Sequence, residues 1–77
     1  MAHYFFDIEE NGRVIRDEEG IPCDDENEMR ELAIATTYSM AHELLRSGSP
    51  CRLVVDVRDD RNRLLRVTLS MNIDEIA

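Results

Sequence analysis

Residues 51–71 constrain the fold more than any other stretch of this 77-residue chain. Cys51-Arg-Leu-Val-Val-Asp-Val57 and Leu65-Arg-Val-Thr-Leu-Ser-Met71 carry apolar side chains at every second position, the period of a strand with one buried face. Asp60-Arg61-Asn62 lies between them, and a three-residue turn with Asn62 in the left-handed conformation joins the two runs. That turn sets Val57 opposite Leu65, Val55 opposite Val67, Leu53 opposite Leu69 and Cys51 opposite Met71. Every apolar position then shares one face, and Asp56 meets Arg66 on the other. A slip of one residue would send the whole apolar set to the wrong side, so pattern and turn specify one register.

A second hairpin is written near the start. Asn11-Gly12 separates the run Tyr4–Glu9 from Val14-Ile15, and both central positions of a type I′ turn need positive φ. The two-residue loop pairs Glu10 with Arg13, Ile8 with Ile15 and Asp7 with Arg16, which gathers Tyr4, Phe6, Ile8 and Ile15 on the core side. Residues 17–24, with Gly20 and Pro22, read as a loop. A helix is expected from Asp25, with the side chain of Asp25 capping and Glu28 reaching back as in a capping box. It runs to about Arg46, where Gly48 and Pro50 supply the stop.

The order strand-strand-helix-strand-strand predicts one domain over residues 1–77. Its class is α+β, two-layer, with one helix across one face of a four-stranded sheet. Two strand orders fit the pattern equally, a β-grasp-like 2-1-4-3 and an all-antiparallel 2-1-3-4. Cys23 precedes the helix and Cys51 follows it. About 22 helical residues span roughly 33 Å, whereas a disulfide needs Cα atoms within about 7 Å. Both are therefore expected to be free thiols, as in a reducing cytoplasm.

Charge narrows the function classes. The net is −8 with no lysine, and residues 1–45 hold three arginines against twelve acids, a net of −9. Residues 46–77 hold six arginines against five acids, a net of +1. Free nucleic acid and anionic membrane surfaces are repelled by the first half. The five arginines 52, 58, 61, 63 and 66 could track phosphates, but Asp56, Asp59 and Asp60 interleave with them as cross-strand ion-pair partners. Nucleic-acid binding is not expected. No stretch approaches the ~20 apolar residues of a membrane span, and Met1-Ala2-His3-Tyr4 does not open like an export signal.

Motifs with chemistry are sparse. Asp7-x-Glu9-x-Asn11-Gly12-x₅-Glu18 nearly spells a calcium loop, but such a loop wraps its ion between helices, and here the ligands would lie along a hairpin ladder. The acidic segment 17–28 reads as a solvated loop with acids favourably placed at a helix N-terminus. His3 and His42 are isolated, and Ser39, Ser47, Ser49 and Ser70 have no histidine placed to activate them. Enzyme activity, metal sites, cofactors and an identifiable small-molecule ligand are not expected.

Tyr4-Phe5-Phe6-Asp7-Ile8, a glycine-bearing turn, Asp17-Glu18-Glu19-Gly20, the capped helix and Val57-Arg58-Asp59 together resemble a family of small uncharacterised proteins abundant in rhizobia and other alphaproteobacteria. The resemblance covers nearly the whole chain. Asn62 stands where such sequences often place glycine, and asparagine tolerates the same backbone conformation. The resemblance implies a bacterial, cytoplasmic, single-domain protein and carries no activity with it.

Two surfaces remain as candidates for function. On the helix, Met29, Ala33, Thr36, Thr37, Met40 and Leu44 form a stripe for the sheet, while Ile34, Tyr38, Ala41 and Leu45 widen the apolar arc beyond what one sheet face covers. Unless the C-terminal Ile73–Ile76 folds over it, that strip is expected to serve a homodimer or a protein partner, with Tyr38 near its centre. The alternative is a small-ligand or nucleic-acid sensor on the open sheet face, displaying Phe5, Val14, Val54, Leu64 and Arg66.

Overall fold

A computed structural model describes residues 2–48 and 51–76. Strand β1 (Ala2–Glu10) turns through Asn11-Gly12 into the short β2 (Arg13–Ile15), and β3 (Ile21–Cys23) follows. Helix α1 (Glu26–Arg46) leads to β4 (Cys51–Arg58) and β5 (Arg63–Met71). The sheet order is β2-β1-β4-β5 with every pair antiparallel, and β3 pairs with the first residues of β1. The helix packs on β4 and β5. The fold is α+β, two-layer, as the pattern predicts. Of the two strand orders the antiparallel one forms, and the β-grasp order is excluded because β1 lies beside β4.

Both hairpins take the expected registers. Asn11 and Gly12 have φ of 48° and 90°, so the type I′ turn forms and pairs Glu10 with Arg13 and Ile8 with Ile15. Pairing stops there, and the expected partnership of Asp7 with Arg16 is not made. The Asp17 carboxylate instead takes the Phe6 N–H at 3.0 Å, a position a ladder carbonyl would otherwise fill. Residues 21–23 then rejoin β1 opposite residues 2–4, where the sequence suggested only loop. Pro22 does not prevent this on an edge strand.

In the second hairpin Val57, Val55, Leu53 and Cys51 face Leu65, Val67, Leu69 and Met71. Asn62 is not left-handed, since Asn11 is the only non-glycine residue with positive φ among the described residues. The Asp59 carboxylate accepts the N–H groups of Arg61 and Asn62 at 2.8 and 2.7 Å, and the Asp59 N–H donates to the Asn62 carbonyl. A register shift at Val57/Arg58 absorbs the remaining residue, so no strained conformation is needed.

Asp25 caps the helix by accepting the Glu28 N–H at 2.8 Å. The Glu28 carboxylate reaches back to the Asp24 N–H, one residue before the cap. At the other end Ser47 donates to the Leu44 carbonyl and Gly48 takes φ 75°; Pro50 lies outside the described residues. Met29, Ala33 and Thr37 are buried against the sheet, with Leu32, Thr36, Met40 and Leu44 partly so. Ala41 is buried too, at 3% exposure, and so belongs to the core and not to the outer strip. Its 100° step from Met40 still falls within the arc that the sheet covers, and a methyl group fits that close approach. Tyr4, Phe6, Cys23, Met29, Ala33, Val55 and Val57 form the central cluster. Cys23 and Cys51 are buried free thiols.

Candidate functional site

Three sequence-distant pieces meet at one end of the open sheet face. Asp7 and Arg58 both point to that face by strand alternation, and they lie diagonally because Asp7 pairs with Asp56 and Phe5 with Arg58. Arg58 Nε donates to Asp7 Oδ2 at 2.8 Å, and one Nη donates to the Asp17 carbonyl at 2.8 Å. The Asp17 N–H donates to Asp7 Oδ1 at 2.9 Å. The Asp17 carboxylate accepts from Phe6, and also from Glu19 and Gly20 at 3.1 Å each. The Arg58 guanidinium stacks 4.6 Å from the Phe5 ring centroid. Gly20, at φ 77°, approaches the same ring so closely that a Cβ would lie 3.0 Å from it. Only glycine combines that conformation with that contact.

Electrostatics follow from this geometry. Burial alone would raise the Asp7 carboxyl, but the Arg58 hydrogen bond and the Asp17 N–H outweigh it and hold Asp7 below the usual carboxylate range. Burial likewise raises the Asp17 carboxyl, but the N–H donors of Phe6, Gly20 and Glu19 outweigh it and hold Asp17 below the usual carboxylate range as well. Arg66, whose Nε lies 2.6 Å from Asp56 Oδ1, lowers Asp56, and the N–H groups of Asn62 and Arg61 lower Asp59. Carboxylates held this way stay ionised at neutral pH and have no proton to exchange there. The node is built to hold the 17–20 loop, β1 and β4 together.

These shifts make a testable pH profile. A carboxyl whose folded value lies below its unfolded value of about 4 contributes stability above that value and loses it as pH falls through the folded value. Thermal melts are expected to show stability declining progressively below about pH 4. At the alkaline end burial raises Tyr4 and Cys23, whose neutral forms are favoured in the core, so stability is lost again as pH rises past about 9. A melting temperature that stays level from pH 5 to pH 2 would contradict the network.

The open-face candidates do not come together as one platform. Val14 and Arg66 line a shallow groove of about 300 Å³ with Asp7, Glu9, Arg16, Asp56 and Arg63. Phe5 lies under Arg58, Val54 is only 3% exposed, and Leu64 sits at the margin beside Arg63 and Leu65. Three carboxylates of this groove are paired, Asp7 with Arg58, Glu9 with Arg52 at 3.0 Å and Asp56 with Arg66. The calcium-loop residues are dispersed in the same way, for Asn11 Oδ1 accepts the Arg52 N–H. Among the described residues no group of three or more His, Cys, Asp or Glu side chains is placed to hold a metal ion.

The helix flank behaves differently. Ile34, Tyr38 and Leu45 are 52%, 68% and 41% exposed, and the Tyr38 ring is 6.4 Å from that of His42. The segment 72–76 has no regular structure and leaves Ile73 and Ile76 exposed as well, so the tail does not close over the strip.

The family model of a domain of unknown function, DUF6894, matches residues 3–70. The chain belongs to the DUF6894 family. No curated protein and no solved structure matches it. The matched span of this DUF6894 chain contains every residue of the Asp7–Asp17–Arg58 node and all of α1. Sequence reading found the node's pieces but not their meeting. The available signal was Asp17-x-x-Gly20, the spacing at which a carboxylate turns back to accept backbone N–H groups two and three residues on. Among the described residues no helix is long and apolar enough to cross a membrane.

Proposed function

We propose that this DUF6894 chain is a small interaction module of the bacterial cytoplasm that self-associates, or docks on a protein partner, through the outer flank of α1. The supporting observation is the uncovered strip of Ile34, Tyr38 and Leu45 in a chain otherwise rich in surface charge. Large apolar groups at such spacing on a polar domain are the ordinary signature of an interface. Tyrosine at its centre supplies contact area at low entropic cost. A sensor on the open face has less support, because the groove is shallow and its carboxylates Asp7, Glu9 and Asp56 are already engaged by arginines of the same chain.

Sedimentation at high micromolar concentration tests the reading. The wild type is expected to be a dimer. Ile34→Glu with Tyr38→Glu should give a folded monomer, weakened at least ~30-fold because each substitution acts on both sides of a two-fold contact. A monomeric wild type that captures no partner through this flank, or a double variant that dimerises as the wild type does, would refute it.

A further inference from the structure

We infer that the partner is a second copy of this chain, joined through antiparallel pairing of the two β5 edges about a two-fold axis at Val67. The inference rests on the self-association reading above and adds the element and register that carry it.

The backbone determines which groups are free. Arg52 donates its N–H to Asn11 Oδ1 and accepts the Asn11 N–H on its carbonyl, so Arg52 turns its backbone toward the β1 side. Alternate residues of a strand present their N–H and C=O to opposite neighbours. Val54, Asp56 and Arg58 therefore also face β1, and Cys51, Leu53, Val55 and Val57 face β5. Through the observed register Leu65, Val67, Leu69 and Met71 answer them. That leaves the N–H and C=O groups of Arg66, Thr68 and Ser70 directed at the open edge, where no further strand pairs among the described residues.

The two edges of the sheet are unlike. On one, β2 is three residues long, β3 contains Pro22, and Asp17 blocks the Phe6 N–H between them. On the other, β5 runs nine residues with no proline and no lysine, and its only irregularity is at the turn end. Of the features that keep strands apart, such an edge carries only Arg63, Arg66 and the irregularity at the turn. Charge favours a copy of this chain as the occupant. Of the seventeen acids none lies between Arg61 and Ile73, and Arg66 is held by Asp56 of its own chain, so two copies of net −8 can meet at β5 without carboxylate facing carboxylate.

The register follows from the midpoint of β5, Val67 in Arg63–Met71, which pairs the two edges over their whole length, and from the arginines. Centred on Val67, the pairing sets Arg66 opposite Thr68 as a hydrogen-bonded pair and brings Ser70 to the irregular Leu64. Leu65 then lies opposite Leu69 and Val67 opposite itself. Centred one residue earlier, it would oppose Arg66 to Arg66, an unfavourable like-charge pair.

The helix flank lies on this side of the domain. Asn27 and Arg30 line a groove with Leu64 and Leu65, and Ile34, Tyr38 and Leu45 follow Asn27 at i+7, i+11 and i+18. At 100° per residue all three fall within about 20° of Asn27. A two-fold axis normal to the joined sheet keeps both helices on one face. With α1 over β4 and β5 and strands about 4.8 Å apart, the helix axes would stand roughly 10–14 Å apart, a gap that Ile, Tyr and Leu side chains fill. A contact about 30 Å long and two layers deep buries on the order of 600 Å² per partner, the lower range of specific interfaces.

Thr68→Pro tests the pairing, because it removes an N–H directed outward and leaves the β4 ladder whole. It is expected to remain folded, with unchanged amide signals along β4, and to dimerise at least ~30-fold more weakly, while Thr68→Val dimerises as the wild type does. Val67→Cys provides a measurement independent of whether the proline variant folds. Across the two-fold its Cα atoms stand about 4.5 Å apart, within disulfide reach, so mild oxidation should give a covalent dimer. A folded Thr68→Pro variant with wild-type affinity, or a dimeric Val67→Cys that does not cross-link, overturns the inference. If Ile34→Glu with Tyr38→Glu dissociates the dimer while Thr68→Pro does not, self-association stands and the β5 contact falls. A wild type monomeric at high micromolar concentration removes both.

Discussion

Asp17→Ala is expected to destabilise the domain by about 2–3 kcal/mol. The carboxylate accepts three backbone N–H groups, and that of Phe6 lies between β2 and β3, where no ladder carbonyl replaces it. Alanine leaves this donor under-satisfied and frees the loop that carries Gly20 onto the Phe5 ring. For a domain of this size the loss corresponds to a fall of roughly 10–20 °C in melting temperature. Asp17→Asn should recover only part of it, because both carboxylate oxygens accept and the amide offers a single acceptor. Glu18→Ala and Glu19→Ala, whose carboxylates are exposed, should stay within about 0.5 kcal/mol of the wild type. A melting temperature for Asp17→Ala within a few degrees of the wild type would show that the loop is held by something else.

Arg58→Met carries the second large effect, and its pH dependence is the more telling part. The guanidinium is the cation that neutralises Asp7, which faces Asp56 directly across the β1–β4 ladder. Methionine keeps an unbranched apolar stem and removes the guanidinium and its charge. Both residues of the pair are largely shielded, so the loss at pH 7 should be about 2–3 kcal/mol, below the cost for a fully buried pair. Without Arg58, burial and the Asp56 carboxylate push the Asp7 carboxyl up. A carboxyl raised above its unfolded value destabilises when ionised, and that penalty is relieved as pH falls through the raised value. The gap between variant and wild type should therefore narrow below about pH 5, whereas the wild type weakens below about pH 4. Asp7→Asn combined with Arg58→Met should recover part of the stability at pH 7. A gap independent of pH would mean that Arg58 contributes through its stacking on Phe5 and not through its charge.

Exposure of the helix flank has a consequence for handling the protein. In the proposed dimer the strip and the open β5 edge lie side by side, and substitutions on either would then change concentration-dependent melting. The Asp17 and Arg58 experiments are best compared at one fixed protein concentration.

Local chemistry determined a large part of this fold by itself. Asn11-Gly12 dictates a type I′ turn because both residues must adopt positive φ, and that turn alone sets Ile8 against Ile15. The two alternating runs of residues 51–71 have one register that buries all their apolar groups, and it forms even though the turn between them uses Asp59 in place of a left-handed Asn62. The helix ends are capped within one or two residues of Asp25 and Arg46 because a capping carboxylate and a glycine act over a few bonds. Tertiary structure decided the rest. Strand order depends on which strand tolerates burial on both faces. Leu53-Val54-Val55 is a continuous apolar run and takes the centre, whereas β5, with Arg66, Thr68 and Ser70 on its open face, stays at the edge. Asp17 became a strand-bridging acceptor only because Phe6, eleven residues earlier, presents an unpaired N–H beside it. Ala41 moved from the outer strip into the core because the line where the sheet meets the helix falls a few tens of degrees from where an apolar arc drawn on the sequence places it. A period gives the face of a helix, but the neighbour that covers it sets how wide that face is.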